Sequence, residues 1–375
     1  MANKVINLPE GVPALRSYYI YMTGGCNLAC KHCYLAPKYQ PHGTTGGHID
    51  FELFKLAIDE GIPLGLGHVK LTGGEPLLHP DFTRIVDYLR ENEIQLAIET
   101  NGILMNERIA RFLKEKSTLT HISISLDGAT AETHDAMRGV KGSFERSTRA
   151  VRQLADAGIP AQIIMTIHDG NVDEIEELIK VALSIGARNV KFNLLQPTGR
   201  GETMHDRGYG IDIARLIEVG RWVEGDLQKR TPIPLLYDWP MAFHSLKRLQ
   251  RYSGTSCGIF GILGLLATGE MAMCGVGTQV DELVYGKLGV DRVADVWANN
   301  AMLMRLRREL PENLHGVCKD CVFKKECLGH CVAGNYFSQQ DLSASFWFCD
   351  QAYKSGLFPV SRLVNAGAAA PVGSI

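Results

Sequence analysis

The sequence predicts a parallel α/β fold that gives way, from about residue 255, to a cysteine-rich region. Three observations carry this reading. Six strand-like runs alternate with segments of helical periodicity over the first half of the chain, the conspicuous turn motifs fall at the C-terminal ends of those runs, and seven of the ten cysteines lie in the last third of the 375 residues.

The first run, residues 16–23, is rich in aromatic and β-branched side chains and leads straight into Gly24-Gly25-Cys26. Further runs follow at 69–72, 95–100, 121–126, 161–167 and 189–195, separated by helical patterns at 50–60, 81–92, 106–115, 143–157 and 172–185. Strict alternation of strand and helix implies parallel strands with helices outside, as an open doubly wound sheet or as a barrel, and composition does not choose between the two. Gly73-Gly74-Glu75-Pro76, Asn101-Gly102, Asp127-Gly128 and Gln196-Pro197 join Gly24-Gly25-Cys26 at strand ends. In parallel α/β folds that rim carries the active site. After Pro197 the rhythm changes, with a polar, glycine-containing stretch, a helical pattern at 212–229 and a proline-rich passage at 231–234.

At 45% hydrophobic the chain can bury a large core, and its length is that of two to three domains. The net charge is -2, acids and bases are mixed throughout, and no basic block offers itself to nucleic acid. The N-terminus lacks the apolar core of a signal peptide, and no apolar run is long enough to span a bilayer. A soluble, cytoplasmic protein with no membrane or nucleic-acid partner is therefore expected. In a reducing compartment thiols stay free, so ten cysteines point to metal binding or catalysis.

Cys26, Cys30 and Cys33 form C-x3-C-x2-C on the loop after the first strand. Thiolates hold iron–sulfur clusters, usually four to a 4Fe-4S unit, so three on one loop leave an iron open for a small ligand. Zinc would want a fourth protein ligand, and His32, between two candidate ligands, is poorly placed to reach the same ion.

With this triplet in this position, the sequence resembles the radical S-adenosylmethionine (SAM) superfamily. The resemblance implies a partial (β/α)6 TIM-type barrel whose open iron chelates SAM and cleaves it reductively to a 5′-deoxyadenosyl radical. Gly73-Gly74-Glu75 is similar to the family's GGE motif, which contacts the SAM amino group; glycines permit close backbone approach and Glu75 supplies an acceptor. By the same resemblance His32 lies near the adenine, Ser123 and Ser125 stand where the family has ribose contacts, and Arg138 reaches the SAM carboxylate. The bland alternatives are a strand serine and a solvated helix-end arginine. Thr100-Asn101-Gly102 closes the third strand on the same rim and is also an ordinary turn.

The remaining seven cysteines run C-x11-G-x4-C, then C-x2-C-x5-C-x3-C, then C. Taken alone, Cys318, Cys321, Cys327 and Cys331 fit a zinc ribbon. Beside a radical SAM core the whole order resembles the SPASM domain and its two auxiliary iron–sulfur clusters. That implies Cys318, Cys321, Cys327 and Cys349 on a distal cluster, with Cys257, Cys274 and Cys331 on a proximal one that keeps an open iron, takes a non-cysteine ligand or is smaller. Phe346, Trp347 and Phe348 shield a cluster, and Met302, Met304 and Leu306 serve packing. The resemblance covers residues 16–359. It divides the chain into an extension (1–15), a radical SAM core (16–197), a linker with a helix (198–254), a SPASM domain (255–359) and a disordered tail (360–375).

SPASM enzymes mostly modify ribosomally made peptides by crosslinking, epimerisation or backbone excision, so the expected partners are a precursor peptide and a flavodoxin or ferredoxin reductant. About fifteen residues precede the first strand, so either a separate leader-binding protein presents the peptide or the core binds it directly. The acidic base that sulfatase-type maturases carry after the second SPASM cysteine is replaced by Gly275. Asp238, Asp281 and Glu282 could act as substrate bases, and the sequence does not separate them from surface carboxylates. The alternatives are a maturase of a small molecule such as a haem or tetrapyrrole side chain, and a non-enzymatic electron-transfer protein.

Overall fold

The structure is a computed structural model, and it describes residues 8–42, 44–251 and 257–364. Among these, twelve strands occur: β1 (Ser17–Tyr21), β2 (Gly25–Cys26), β3 (Lys38–Tyr39), β4 (His68–Thr72), β5 (Gln95–Thr100), β6 (Leu119–Ser125), β7 (Gln162–Ile167), β8 (Asn189–Leu194), β9 (Leu235–Asp238), β10 (Ile262–Leu265), β11 (Glu270–Ala272) and β12 (Val284–Lys287). Ten form one sheet in the order β12-β11-β10-β1-β4-β5-β6-β7-β8-β9, parallel from β10 to β9 and antiparallel through β10, β11 and β12. The six anticipated strands are its centre, and its two ends do not pair with each other, which leaves the barrel partial.

Side chains alternate across each strand, so one face can be apolar while the other is polar. Tyr18, Ile20, Val69, Leu71, Ile98, Ile124, Ile163, Met165, Val190 and Phe192 are buried in the main core, and each such side chain is worth about 1.5–3 kcal/mol relative to exposure. The intervening Glu99, Ser123, Ser125, Gln162, Thr166, Lys191 and Asn193 line an interior cavity instead. The helices are amphipathic and capped where the sequence offers a cap. Asp50 accepts the backbone N–H groups of Glu52 and Leu53 ahead of Phe51–Gly61, and Asn106, Thr130 and Asp212 cap Glu107–Lys116, Ala131–Arg138 and Ile213–Trp222.

Residues 198–254, expected as a linker with a helix, continue the β-α rhythm. Helix Ile213–Trp222 runs on through a π-helical turn to Arg230 and feeds β9, which pairs parallel to β8 from Val190↔Leu235 to Asn193↔Asp238. The cysteine-rich region likewise begins as part of the sheet, with β10 parallel to β1 from Ser17↔Ile262 to Ile20↔Leu265. Trp297, fully buried, donates from Nε1 to the Pro13 carbonyl at 2.8 Å and ties the C-terminal helices to the residues ahead of β1. Of the expected tail, residues 360–364 are folded: Val360–Arg362 forms a short 3-10 turn and Leu363 bridges to Cys321, while 365–375 lie outside the described residues. Among the described residues no helix is long and apolar enough to cross a membrane.

Candidate functional site

The loop after β1 is closed by its own miniature ladder, β2 pairing with β3 through Gly25↔Lys38 and Cys26↔Tyr39. Backbone bonds then hold it from three sides. Ala29 and Lys31 donate to the Arg138 and Met137 carbonyls at 3.0 and 2.9 Å, Arg200 donates to the Cys33 carbonyl at 3.0 Å, and Gly74 donates to the Thr23 carbonyl at 3.0 Å. A Cβ on Gly74 would stand 1.8 Å from the Gly25 carbonyl oxygen, and Gly73, at φ +121°, abuts the Met22 backbone. The two glycines thus seat the Glu75 turn directly against the cysteine loop.

The ten residues expected at this site, Cys26, Cys30, Cys33, His32, Gly73, Gly74, Glu75, Ser123, Ser125 and Arg138, all line one cavity of about 240 Å³ at the C-terminal strand ends. Donors already point at two of the sulfurs. Leu28 N–H and Asn101 Nδ2 lie 3.4 and 3.7 Å from Cys26 Sγ, and Arg138 Nη1 lies 3.5 Å from Cys30 Sγ. Burial pushes the Cys26 and Cys30 thiols up, with neighbouring Glu75 adding to the rise at Cys26 and Arg138 opposing it at Cys30.

Glu75 is almost fully buried. Its Oε1 accepts from Thr100 Oγ1 at 2.6 Å and Leu77 N–H at 3.0 Å, and its Oε2 accepts from Asn101 N–H at 2.9 Å. Burial raises its pKa against the pull of these bonds. Oε1 thus has both lone pairs engaged, and Oε2 keeps one for a ligand.

Arg138 is not solvated: it is 7% exposed and pairs with the fully buried Asp127 at 2.8 Å. Burial opposes the charge on Asp127, and Arg138 with the neighbouring histidines holds the carboxyl below its usual range. Arg138 Nε remains buried with no partner, as does Nδ1 of His32. His32 Nε2 stands 3.5 Å from Asp127 Oδ2, and burial lowers the imidazole to about 4, so it is neutral at pH 7. Ser123 Oγ donates to Gln162 Oε1 at 3.2 Å within an interior network that includes His121. Asp127, Glu99, Lys191, Asn193 and Arg200 complete the surroundings. Sequence reasoning did not assign them a role, although for Glu99, Lys191 and Asn193 the polar residue at every second strand position was the available signal.

The C-terminal thiols sort into two neighbourhoods. After burial, which pushes each thiol up, Cys331 and Cys274 add to the rise at Cys257 against Lys70, and at Cys274 the Val276 N–H and Lys70 oppose the rise while Cys331 adds to it. Cys349 feels Cys318, Cys327 and Cys321, and Cys318 feels Cys327 and Cys321. Phe346 and Phe348, within 1% of full burial, pack around the second group, while Trp347 Nε1 reaches Gln196 Oε1 at 3.4 Å. Leu306 is fully buried in the core and Met304 is exposed. Among the described residues no three His, Cys, Asp or Glu side chains converge closely enough to hold a single metal ion. The fit to clusters rests on a pure thiol donor set in groups of three, three and four.

Between the cavity and the first of these neighbourhoods lies a belt of charge. Lys70 pairs with Glu99 at 3.1 Å and sits 3.8 Å over the Tyr19 ring, and Lys191 pairs with Asp238 at 2.9 Å. Asp238 is thereby separated from the exposed Glu282 and from Asp281, which lines a larger groove of about 710 Å³. That groove shares Leu35, Pro37, Gly73 and Gly74 with the cavity.

The family profile described as the radical SAM superfamily matches residues 20–182. Across the chain, the mycofactocin maturase MftC of Mycolicibacterium smegmatis is 31% identical over 340 residues, covering 84% of this chain and 78% of that protein. An AdoMet-dependent heme synthase of Methanosarcina barkeri is 29% identical over 340 residues, covering 85% and 93%. Among solved structures, Streptococcus suis SuiB bound to precursor peptide SuiA superposes with a TM-score of 0.71 at 16% identity, covering 89% of this chain and 75% of that one. Native anSMEcpe with bound AdoMet gives 0.69 at 18% identity, covering 94% and 99%. At these identities the structural likeness shows the fold.

Proposed function

This chain belongs to the radical SAM superfamily and is an enzyme, and from that premise we propose that it modifies a ribosomally made peptide in the cytoplasm by radical chemistry started from SAM. The observation that carries the proposal is the single cavity onto which the cysteine triplet, the Gly73-Gly74-Glu75 turn, His32, Ser123, Ser125 and Arg138 all open. The non-enzymatic electron-carrier reading falls with the family.

Cys26, Cys30 and Cys33 would hold a 4Fe-4S cluster and leave it able to bind SAM, and Glu75 would take the SAM ammonium on the free lone pair of Oε2. Arg138 offers its unpartnered Nε–H to the SAM carboxylate while Asp127 fixes the guanidinium. His32 covers the adenine as a neutral ring, and Ser123 and Ser125 meet the ribose. When bound, the cluster would supply one electron, received from a flavodoxin or ferredoxin, for cleavage of SAM to methionine and a 5′-deoxyadenosyl radical able to take a substrate hydrogen atom. Cys318, Cys321, Cys327 and Cys349 hold an auxiliary cluster in an apolar shell. Cys257, Cys274 and Cys331 would hold a second one, and Asp238, paired with Lys191, acts on Cys331. The substrate peptide lies in the larger groove and reaches the cavity past Leu35 and Pro37, with or without a separate leader-binding protein. Crosslinking, epimerisation and backbone excision are the outcomes open to it. SuiB and anSMEcpe, whose structures include complexes with peptides, support this reading.

The likeness to heme synthases over most of their length favours a second reading, in which a haem or tetrapyrrole side chain is the substrate. Anaerobic reconstitution with iron and sulfide, iron counting and 5′-deoxyadenosine release with dithionite test the shared chemistry. About twelve irons are expected for three clusters. Release that rises with a candidate precursor peptide, and a mass change in that peptide, support the first reading; stimulation by a tetrapyrrole alone supports the second. Iron-free protein, or no SAM cleavage under any reductant, contradicts both.

A further inference from the structure

A second cavity, of about 560 Å³, lies on the far side of the cysteine loop, bounded by Ala29 and Lys31, the helix Ala131–Arg138, the turn after β7 and the helix Arg200–Asp206. Two side chains in it carry buried nitrogens with no partner. His168 is 6% exposed, its Nδ1 accepts the Gly170 N–H at 3.0 Å, and its Nε2 is buried and unpartnered. An acceptor bond at Nδ1 places the ring proton of the neutral imidazole on Nε2, so that nitrogen is an unused donor.

Arg200 is fixed by Nη1 to the Pro37 carbonyl at 3.2 Å, while Nε and Nη2 are buried without partners. The turn that carries it is built for this place. A Cβ on Gly199 would meet the Tyr34 carbonyl oxygen at 2.3 Å, and one on Gly201 the Gln196 carbonyl oxygen at 2.2 Å. Arg200 lines both this cavity and the one proposed for SAM. Buried donors left unpaired are costly, and they mark a place where a ligand acceptor completes the bonding. The floor is apolar, with Met137 and Met204 buried and Tyr209 at the rim, where Lys31 and Arg207 stand with Glu132.

We propose that Arg200 and His168 form a carboxylate-binding subsite that takes an anionic group on a partly apolar molecule. The carboxylate is that of the substrate, which rests on the peptide reading above, since the SAM carboxylate is placed on Arg138. A carboxylate against three donors, two of them on a guanidinium, forms charge-assisted bonds that an amide cannot match.

The test uses the reconstituted protein with N-acetyl-leucine as probe and N-acetyl-leucinamide as control, alongside SAM, with dissociation constants from calorimetry on wild type, Arg200→Gln and His168→Phe. About a tenfold preference for the acid over the amide is expected, lost in Arg200→Gln and reduced in His168→Phe, and His168→Phe, which lies outside the SAM cavity, keeps SAM affinity. If instead both variants weaken SAM about tenfold and the acid does not bind the SAM-loaded protein, the two residues serve the SAM site and the proposal is overturned. Equal binding of acid and amide by wild type also overturns the proposal. His168→Phe keeps the test decisive should Arg200→Gln fail to load its clusters. Release of 5′-deoxyadenosine in the same preparations reads the proposed function separately.

Discussion

The two cysteine regions of this molecule are built from the same side chain in opposite surroundings. The triplet Cys26, Cys30 and Cys33 faces a cavity whose walls are polar, with Arg138 and Asn101 directed at its sulfurs. The group Cys318, Cys321, Cys327 and Cys349 is set among Phe346, Phe348 and other core residues; Cys318, Cys321 and Cys349 are buried to the same degree as Cys26 and Cys30, so the shell and not the burial differs. A thiol group beside a cavity can exchange ligands, whereas one sealed in apolar packing can only hold what it binds. The difference teaches that donor identity sets what is bound and the shell sets what can be done with it.

Substitutions should therefore separate chemistry from stability. The largest effect is expected from Cys26→Ala/Cys30→Ala/Cys33→Ala, which should lose about four irons and lower 5′-deoxyadenosine release by about 10³-fold or more. Chromatography of quenched reactions measures it. Cys318→Ala/Cys321→Ala should lose a similar amount of iron but keep SAM cleavage within about tenfold of wild type; equal loss in both variants would break the comparison. Next comes Arg138→Gln. It leaves Asp127 buried and unpaired and should cost about 3–5 kcal/mol in urea unfolding as well as SAM affinity.

Phe348→Ala makes the converse case in the sealed region. It should cost about 3–5 kcal/mol of stability while SAM cleavage per loaded cluster is preserved, which a paired denaturation and turnover assay reads. The smallest effect is a pH dependence. The His134 imidazole accepts the Asp127 N–H at 3.0 Å, and burial lowers its pKa from 6.5 to about 4. A depressed folded-state value means its contribution is full above pH 6.5 and is lost as pH falls towards 4. At pH 5 the loss should be on the order of 2 kcal/mol, and His134→Gln should flatten that limb of the unfolding profile.

Much of this arrangement was legible in the sequence, and the misses have physical causes. The six central strands were readable because each is a five- to seven-residue run followed by a glycine-bearing turn. β9 was not, because Leu235–Asp238 is only four residues long and follows Thr231-Pro232-Ile233-Pro234, which reads as a loop. β10 lies in a glycine-rich stretch after residues that carry no strand pattern, so the sheet's continuation into the cysteine-rich region was hidden. The choice between open sheet and barrel had a usable signal that was passed over. Strands buried on both faces read as continuous apolar runs, yet His121, Ser123 and Ser125 alternate with Ile122 and Ile124, and Lys191 and Asn193 with Val190 and Phe192. That alternation belongs to a sheet wrapped around a polar interior. Arg138 could be read as solvated because its partner Asp127, eleven positions away, is brought to it only by the fold. Arg200 was lost in a polar stretch whose two flanking glycines show their purpose only against the cysteine loop.

The claim that the open cavity, and not the sealed region, handles SAM is tested most directly by low-temperature electron paramagnetic resonance of the dithionite-reduced protein with and without SAM. The account predicts that SAM reshapes one component of the cluster signal, that this component is missing from Cys26→Ala/Cys30→Ala/Cys33→Ala, and that it persists in Cys318→Ala/Cys321→Ala. A signal indifferent to SAM, or a SAM response that survives loss of the triplet, would contradict it.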